Sequence, residues 1–99
     1  MLYQITELAQ DDIDAAADGF DDLDKADSFI SNIHTEFGSI ATSIGKGHRR
    51  TDLTEHDVYF QTFQKRWSII FKRERPIIIV RVFPHKMLNP NPWFGPGFI

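Results

Sequence analysis

The sequence predicts an α+β fold in the order β-α-α-β-β-β, a helical hairpin packed on a small, mainly antiparallel sheet. Three observations predict it. A short alternating stretch, Leu2-Tyr3-Gln4-Ile5-Thr6, opens the chain. Apolar residues then recur every three or four positions from Ala9 to Ile44. Beyond Arg50 the texture changes to β-branched and aromatic runs parted by short charged joins.

The first strand rests on the period-two alternation of Leu2–Thr6. In the first helix, Ile13, Ala16, Ala17, Phe20 and Leu23 form one stripe, and most of the seven aspartates between Asp11 and Asp24 occupy the other side. Those in the first turn also suit the positive end of the helix macrodipole. Gly19 predicts a frayed or bent second half, because glycine weakens a helix by about 1 kcal/mol relative to alanine. The second helix is expected from an Asp24 cap through Ile44, with Ala26, Phe29, Ile30, Ile33, Phe37, Ile40, Ala41 and Ile44 as its stripe and Gly45 and Gly47 ending it. Neither helix can bury its stripe alone, so the two pair antiparallel.

Three strands follow, within Val58–Phe63, Trp67–Phe71 and Ile77–Phe83. The joins Gln64-Lys65-Arg66 and Lys72-Arg73-Glu74-Arg75 are of hairpin length, and Pro76 suits a position at a strand's start. The last strand is apolar at both parities and is expected inside the sheet, with Ile78, Val80 and Val82 towards the helices. Ile77, Ile79, Arg81 and Phe83 are then expected on a partly hidden opposite face. Residues 1–88 form the domain. Residues 89–99, with three prolines and two glycines but also Trp93, Phe94, Phe98 and Ile99, form an irregular tail that either packs back or reaches a partner.

A 99-residue chain buries about 65% of its unfolded surface, enough for one core without staples. Hydrophobic residues make up 41% and charged residues 25%, which argues against a disordered or collagen-like chain. The absence of cysteine removes disulfides, thiolate metal sites and thiol chemistry. The longest apolar run, Ile77–Val80, is far short of the ~18 residues of a membrane span, and no leader pattern follows Met1, so a cytoplasmic protein without membrane attachment is expected. The net charge of −3 is the sum of two unlike halves. Residues 1–36 hold ten acids and one base, a net of −9, and residues 37–99 hold ten bases and four acids, a net of +6.

An EF-hand laid from Asp14 places Asp18 and Gly19 correctly but puts Ala16 at position three and Lys25 at position twelve, where a glutamate is needed. The acids therefore read as a solvated helix face that also suits a basic partner segment. His34, His48, His56 and His85 lack metal-ligand spacing, and no nucleophile elbow or glycine-rich nucleotide loop occurs, so no metal and no cofactor is expected. Lys65, Arg66, Lys72, Arg73, Arg75, Arg81 and Lys86 gather about the strand turns and the last strand. They either keep sheet edges soluble or, with Trp67, Phe83 and His85, offer a nucleic-acid surface. Arg81 interrupts a strongly apolar strand, which requires an acidic partner or a functional reason.

The order of elements, together with several short motifs, resembles the ParE/RelE superfamily of toxins from bacterial type II toxin–antitoxin systems over nearly the whole chain. Asp24-Lys25-Ala26-Asp27-Ser28-Phe29-Ile30 is similar to the start of that family's second helix, and Ile44-Gly45-Lys46-Gly47 to the segment after it. Trp67-Ser68-Ile69-Ile70-Phe71-Lys72 resembles a family strand, and Val80-Arg81-Val82-Phe83-Pro84-His85-Lys86-Met87 the last strand and its exit. Asn91-Pro92-Trp93-Phe94-Gly95 is similar to the tails of one ParE branch.

The resemblance implies a choice between two actions on one fold. RelE-type members are ribosome-dependent mRNA endoribonucleases, strongly basic, with an arginine where this chain has Ser68 and usually a tyrosine or histidine near the C-terminus. No tyrosine follows Tyr59 here, and the pI is near 5.7. A ribonuclease would have to use His85, Arg81 and Lys86. The ParE branch, which the chain resembles better, is non-catalytic and binds DNA gyrase, which implies Arg81, His85, Lys86, Trp93 and Phe94 as target contacts. Either action implies an antitoxin, commonly a ParD-like ribbon-helix-helix protein whose arm covers the hairpin and sheet edge, with Phe20, Phe29 and Trp67 as its expected contacts. DNA reading would then fall to the antitoxin, since the toxin shows no sequence-specific DNA-binding element.

Overall fold

The computed structural model describes residues 2–43, 45–49 and 57–84. Strand β1 (Tyr3–Ile5) leads into helices α1 (Glu7–Asp18) and α2 (Leu23–Thr42), and strands β2 (Tyr59–Phe63), β3 (Trp67–Lys72) and β4 (Ile77–Pro84) follow. The architecture is α+β, with two helices on one four-stranded sheet of order β1-β4-β3-β2. β1 runs parallel to β4, and β3 is antiparallel to both its neighbours. The last strand is therefore interior, as its apolar residues at both parities demand.

α1 begins two residues earlier than its stripe, because Thr6 caps it. The Thr6 hydroxyl accepts from the Ala9 N–H at 3.1 Å and donates to the Val80 carbonyl at 2.8 Å, tying the helix start to β4. The helix stops at Asp18, before Gly19, and the expected single stripe ends there: Phe20 is half-buried and Leu23 is 83% exposed. α2 is capped by Asp22, not Asp24. Asp22 has the extended backbone of a cap, and its carboxylate accepts from the Asp24 N–H at 2.8 Å, which places Asp24 in the first turn. The helix closes at Thr42, short of the expected Ile44, which lies outside the described residues.

The main core joins Ala9 and Ile13 of α1 and Phe29, Ile33, Phe37 and Ile40 of α2 to the sheet residues Phe63, Ile69, Phe71, Ile77, Ile79 and Val82. This corrects the expected facing of β4. Ile77 and Ile79, not Ile78 and Val80, meet the helices, yet Val82 meets them as well. A bulge explains the switch. Phe71 pairs with Ile79 and Ile70 with Arg81, so Val80 is an extra residue and the parity changes beyond it. Ile78, Val80 and Phe83 fall on the opposite face with Val58, Phe60 and Ile70. That face is well buried rather than partly hidden, with Ile70 fully inaccessible.

The β2–β3 turn is tight. The Arg66 N–H donates to the Phe63 carbonyl, while Gln64 and Lys65 hold left-handed φ values of 53° and 59°, as a type I′ turn requires. Gly47, with φ +79°, lies where a Cβ would stand 2.5 Å from the Phe71 ring, so only glycine fits there. Its neighbour His48 exchanges backbone hydrogen bonds with Phe60, extending the sheet edge beyond β2 by one bridge.

Candidate functional site

Two features carry chemistry: an acid-rimmed aromatic cleft at one end of the fold, and a buried ion pair on the edge of β4. The cleft forms where the α1–α2 turn approaches the β2–β3 turn. Phe20 enters from the first of these, Gln64 from the second, and α2 supplies Asp24, Lys25, Ser28, Phe29 and Asn32 around an open hollow of about 320 Å³. Behind it the rings form a continuous group. Phe29 lies 5.4 Å from Phe20, 5.3 Å from Trp67 and 6.2 Å from Phe63 between centroids. These separations suit favourable edge and tilted ring contacts.

The three residues expected to meet an antitoxin, Phe20, Phe29 and Trp67, are thus brought together, although the first two and the last are far apart in sequence. Phe29 is buried and forms the floor, whereas Phe20 and Trp67 are half-buried and retain surface for a partner. Leu23, the first residue of α2, is 83% exposed, although its place in the apolar stripe had assigned it to the core. The acids nearby are exposed: Asp21, Asp22, Asp24 and Asp27 all face water, as do Asp11, Asp14 and Asp18 on α1. The arrangement offers aromatic anchorage within a negative field, suited to a segment bearing apolar and basic side chains.

Asp12 is the exception among the α1 acids, and the acidic partner that Arg81 requires. β1 pairs with β4 only at Ile77–Ile79, so the edge of β4 beyond that point is open to α1. There the Asp12 carboxylate accepts from Arg81 Nε at 2.8 Å, from Arg81 Nη2 at 2.9 Å and from the Val82 N–H at 2.9 Å. The two side chains keep only 9% and 12% exposure. The two-pronged contact matches guanidinium geometry, and the third bond closes a strand edge that would otherwise end in a buried donor. Asp12 lies three residues after Ala9 and four before Ala16, on the flank of the α1 stripe. That position was the available sign in the sequence, and counting Asp12 with the solvated acids concealed it.

The remaining basic residues divide. Lys65, Arg66 and Arg75 are exposed at the strand turns. Arg73 instead lies about 5.3 Å from the Tyr59 ring centroid and 5.4 Å from that of Phe71. It donates to the carbonyls of Ser43 and Lys46, serving the exit of α2. Lys46 pairs with Glu36 at 2.8 Å. Ser68, at the position where RelE-type proteins resemble one another in having arginine, is buried in β3 opposite Phe83. His34 is accounted for by a 2.9 Å hydrogen bond between its Nδ1 and the Tyr3 hydroxyl. His85, Lys86, Trp93 and Phe94 lie outside the described residues, as does the tail boundary at 89.

The class defined by this geometry is an α+β domain of two helices on a four-stranded mixed sheet. No protein-family model, curated protein or solved structure matches the chain. No helix among the described residues is long and apolar enough to cross a membrane.

Proposed function

We propose that this protein is the toxin of a type II toxin–antitoxin pair, of the ParE kind. It inhibits growth by binding DNA gyrase and is neutralised by a cognate antitoxin, with both partners in the cytoplasm. The β-α-α-β-β-β frame supports this reading, and so does the cleft lined by Phe20, Phe29 and Asp24, with Trp67 packed against Phe29. The antitoxin arm places apolar side chains in that cleft and basic ones along the aspartates, while the antitoxin's own fold reads operator DNA. The basic sheet turns and the end of β4 face gyrase.

One observation favours binding over RNA cleavage. A ribonuclease needs a cation held ready for the charge that develops at the scissile phosphate. Arg81, the one described member of the His85, Arg81 and Lys86 set, already spends its fork on Asp12 behind nine-tenths burial. Breaking that pair to reach a phosphate would be costly in a buried setting.

A supercoiling assay with purified gyrase, with and without antitoxin, tests the proposal. Inhibition by the toxin and relief by the antitoxin are expected. Intact supercoiling together with cleaved mRNA on ribosomes would establish the ribonuclease instead. A His85→Ala variant should remain toxic; loss of toxicity with antitoxin binding retained would overturn the non-catalytic view.

A further inference from the structure

The cleft between the α1–α2 and β2–β3 turns has a lining of mixed character. Phe20 and Phe29 supply its rings, 5.4 Å apart between centroids, with Phe29 buried as the floor and Phe20 half-buried on the rim. The other five lining residues, Asp24, Lys25, Ser28, Asn32 and Gln64, are polar, and all are exposed. An occupant must therefore lie against aromatic surface and also replace the water on these polar side chains. A leucine or phenylalanine does the first and not the second. Polar groups stripped of water without a new partner count directly against binding.

One kind of side chain does both. A guanidinium is planar and weakly hydrated, stacks on an aromatic ring and carries five N–H donors around its edge. Its face matches the Phe20 ring. Its edge matches the acceptors of the wall, which are the Asp24 carboxylate, the Ser28 hydroxyl and the amide oxygens of Asn32 and Gln64. Charge favours the same choice. Residues 1–36 hold ten acids against one base, and Asp21, Asp22 and Asp27 stand exposed within three residues of Asp24. That single base, Lys25, lines the cleft as well. Its stem can lie along the wall while its ammonium stays in water, so it weakens the attraction without reversing it. A lysine occupant brings the charge but not the planar, weakly hydrated face.

We infer that the cleft is an arginine receptor, taking one arginine side chain of a partner protein with the guanidinium stacked on Phe20 and hydrogen-bonded to Asp24. The inference rests on the reading of the cleft as a partner site and adds the chemistry of its anchor; it requires neither gyrase nor an antitoxin. It also gives Gln64 a part. Gln64 and Lys65 hold left-handed φ values that asparagine and glycine adopt more freely, and the turn they form puts Gln64 on the side of the cleft that α2 does not supply.

The test uses the full-length, isotope-labelled protein and four blocked pentapeptides, with alanine at every position but the third, which is arginine, lysine, leucine or glutamate. In titrations followed by amide chemical shifts, the arginine peptide should bind at least about fivefold tighter than the lysine and leucine peptides. Its shifts should centre on Ser28, Phe29, Asn32 and Gln64, and the glutamate peptide should bind worst. Leucine binding as well as arginine would overturn the inference and leave the cleft a partner site with an apolar anchor. Lysine binding as well as arginine would overturn it in favour of a site that reads charge alone, and tightest binding by glutamate would make Lys25 the reader. No shift at the cleft from any of the four would overturn the inference together with the partner reading. Asp24→Asn should abolish the preference for arginine over leucine, and Lys25→Gln should increase it. A folded Asp24→Asn variant with the preference intact would also overturn the inference.

Discussion

Replacing Asp12 by asparagine keeps the shape of the side chain and removes its charge. An amide oxygen in the place of Oδ2 still accepts from the Val82 N–H and from Arg81 Nε, but the amide nitrogen then replaces Oδ1 and presents hydrogens to Arg81 Nη2, where a 2.9 Å hydrogen bond was. Removing one partner of a buried ion pair costs about 3–5 kcal/mol, and retention of the Val82 bond places the loss near the lower end, about 3 kcal/mol. The side chains keep 9% and 12% exposure, too little for solvent to discount that figure to the value of a surface pair. With a urea slope of about 2 kcal/mol per molar, the unfolding midpoint falls by about 1.5 M. Adding Arg81→Met removes the stranded charge, and the double variant should recover at least about 1.5 kcal/mol relative to additivity. Equilibrium urea unfolding of the wild type, both single variants and the double variant measures all of this. A loss below about 1 kcal/mol for Asp12→Asn, or strict additivity, would refute the reasoning.

Gly47→Ala should destabilise by about 3 kcal/mol, combining left-handed backbone strain with displacement of the buried Phe71 ring, whereas Gly45→Ala, with open space around it, should change stability by less than about 1 kcal/mol. Thermal unfolding of the pair checks this, and equal melting temperatures would sink it. Lys65→Gly relieves a φ of 59° in the β2–β3 turn and should raise the melting temperature by about 4–8 °C for a gain of about 1 kcal/mol. Phe20→Ala truncates a half-buried ring on the cleft rim. It should weaken antitoxin binding at least about tenfold by calorimetry while leaving the unfolding transition nearly in place.

The elements were readable because their signals are local. The three- and four-residue spacing of Phe29, Ile33, Phe37 and Ile40 appears directly as the buried face of α2, and the interior place of β4 follows from apolar residues at both parities. The aromatic contacts were half legible. Phe20, Phe29 and Trp67 stand out as large apolar residues, but their meeting depends on how two turns approach each other. What the sequence concealed was non-local. The Val80 bulge is a matter of pairing between two strands, and no alternation count within β4 reveals where the parity shifts. Asp12 looks like its neighbours until Arg81 is placed against it, sixty-nine residues later. Thr6 reads as the end of a strand, yet it also caps a helix and anchors to Val80, because β1 ends where α1 must turn onto β4.

The parallel pairing of β1 with β4 also bears on biosynthesis. Thr6 and Val80, joined by a hydrogen bond, are 74 residues apart, so the first strand leaves the ribosome long before β4, its neighbour among the described strands, exists. At about 5–20 residues per second that interval lasts about 4–15 s, during which the helical hairpin has no sheet to cover its apolar side. The nascent chain therefore passes through a window in which the mature surfaces do not yet exist. A chain released early within that window would lack the strand at the centre of its sheet.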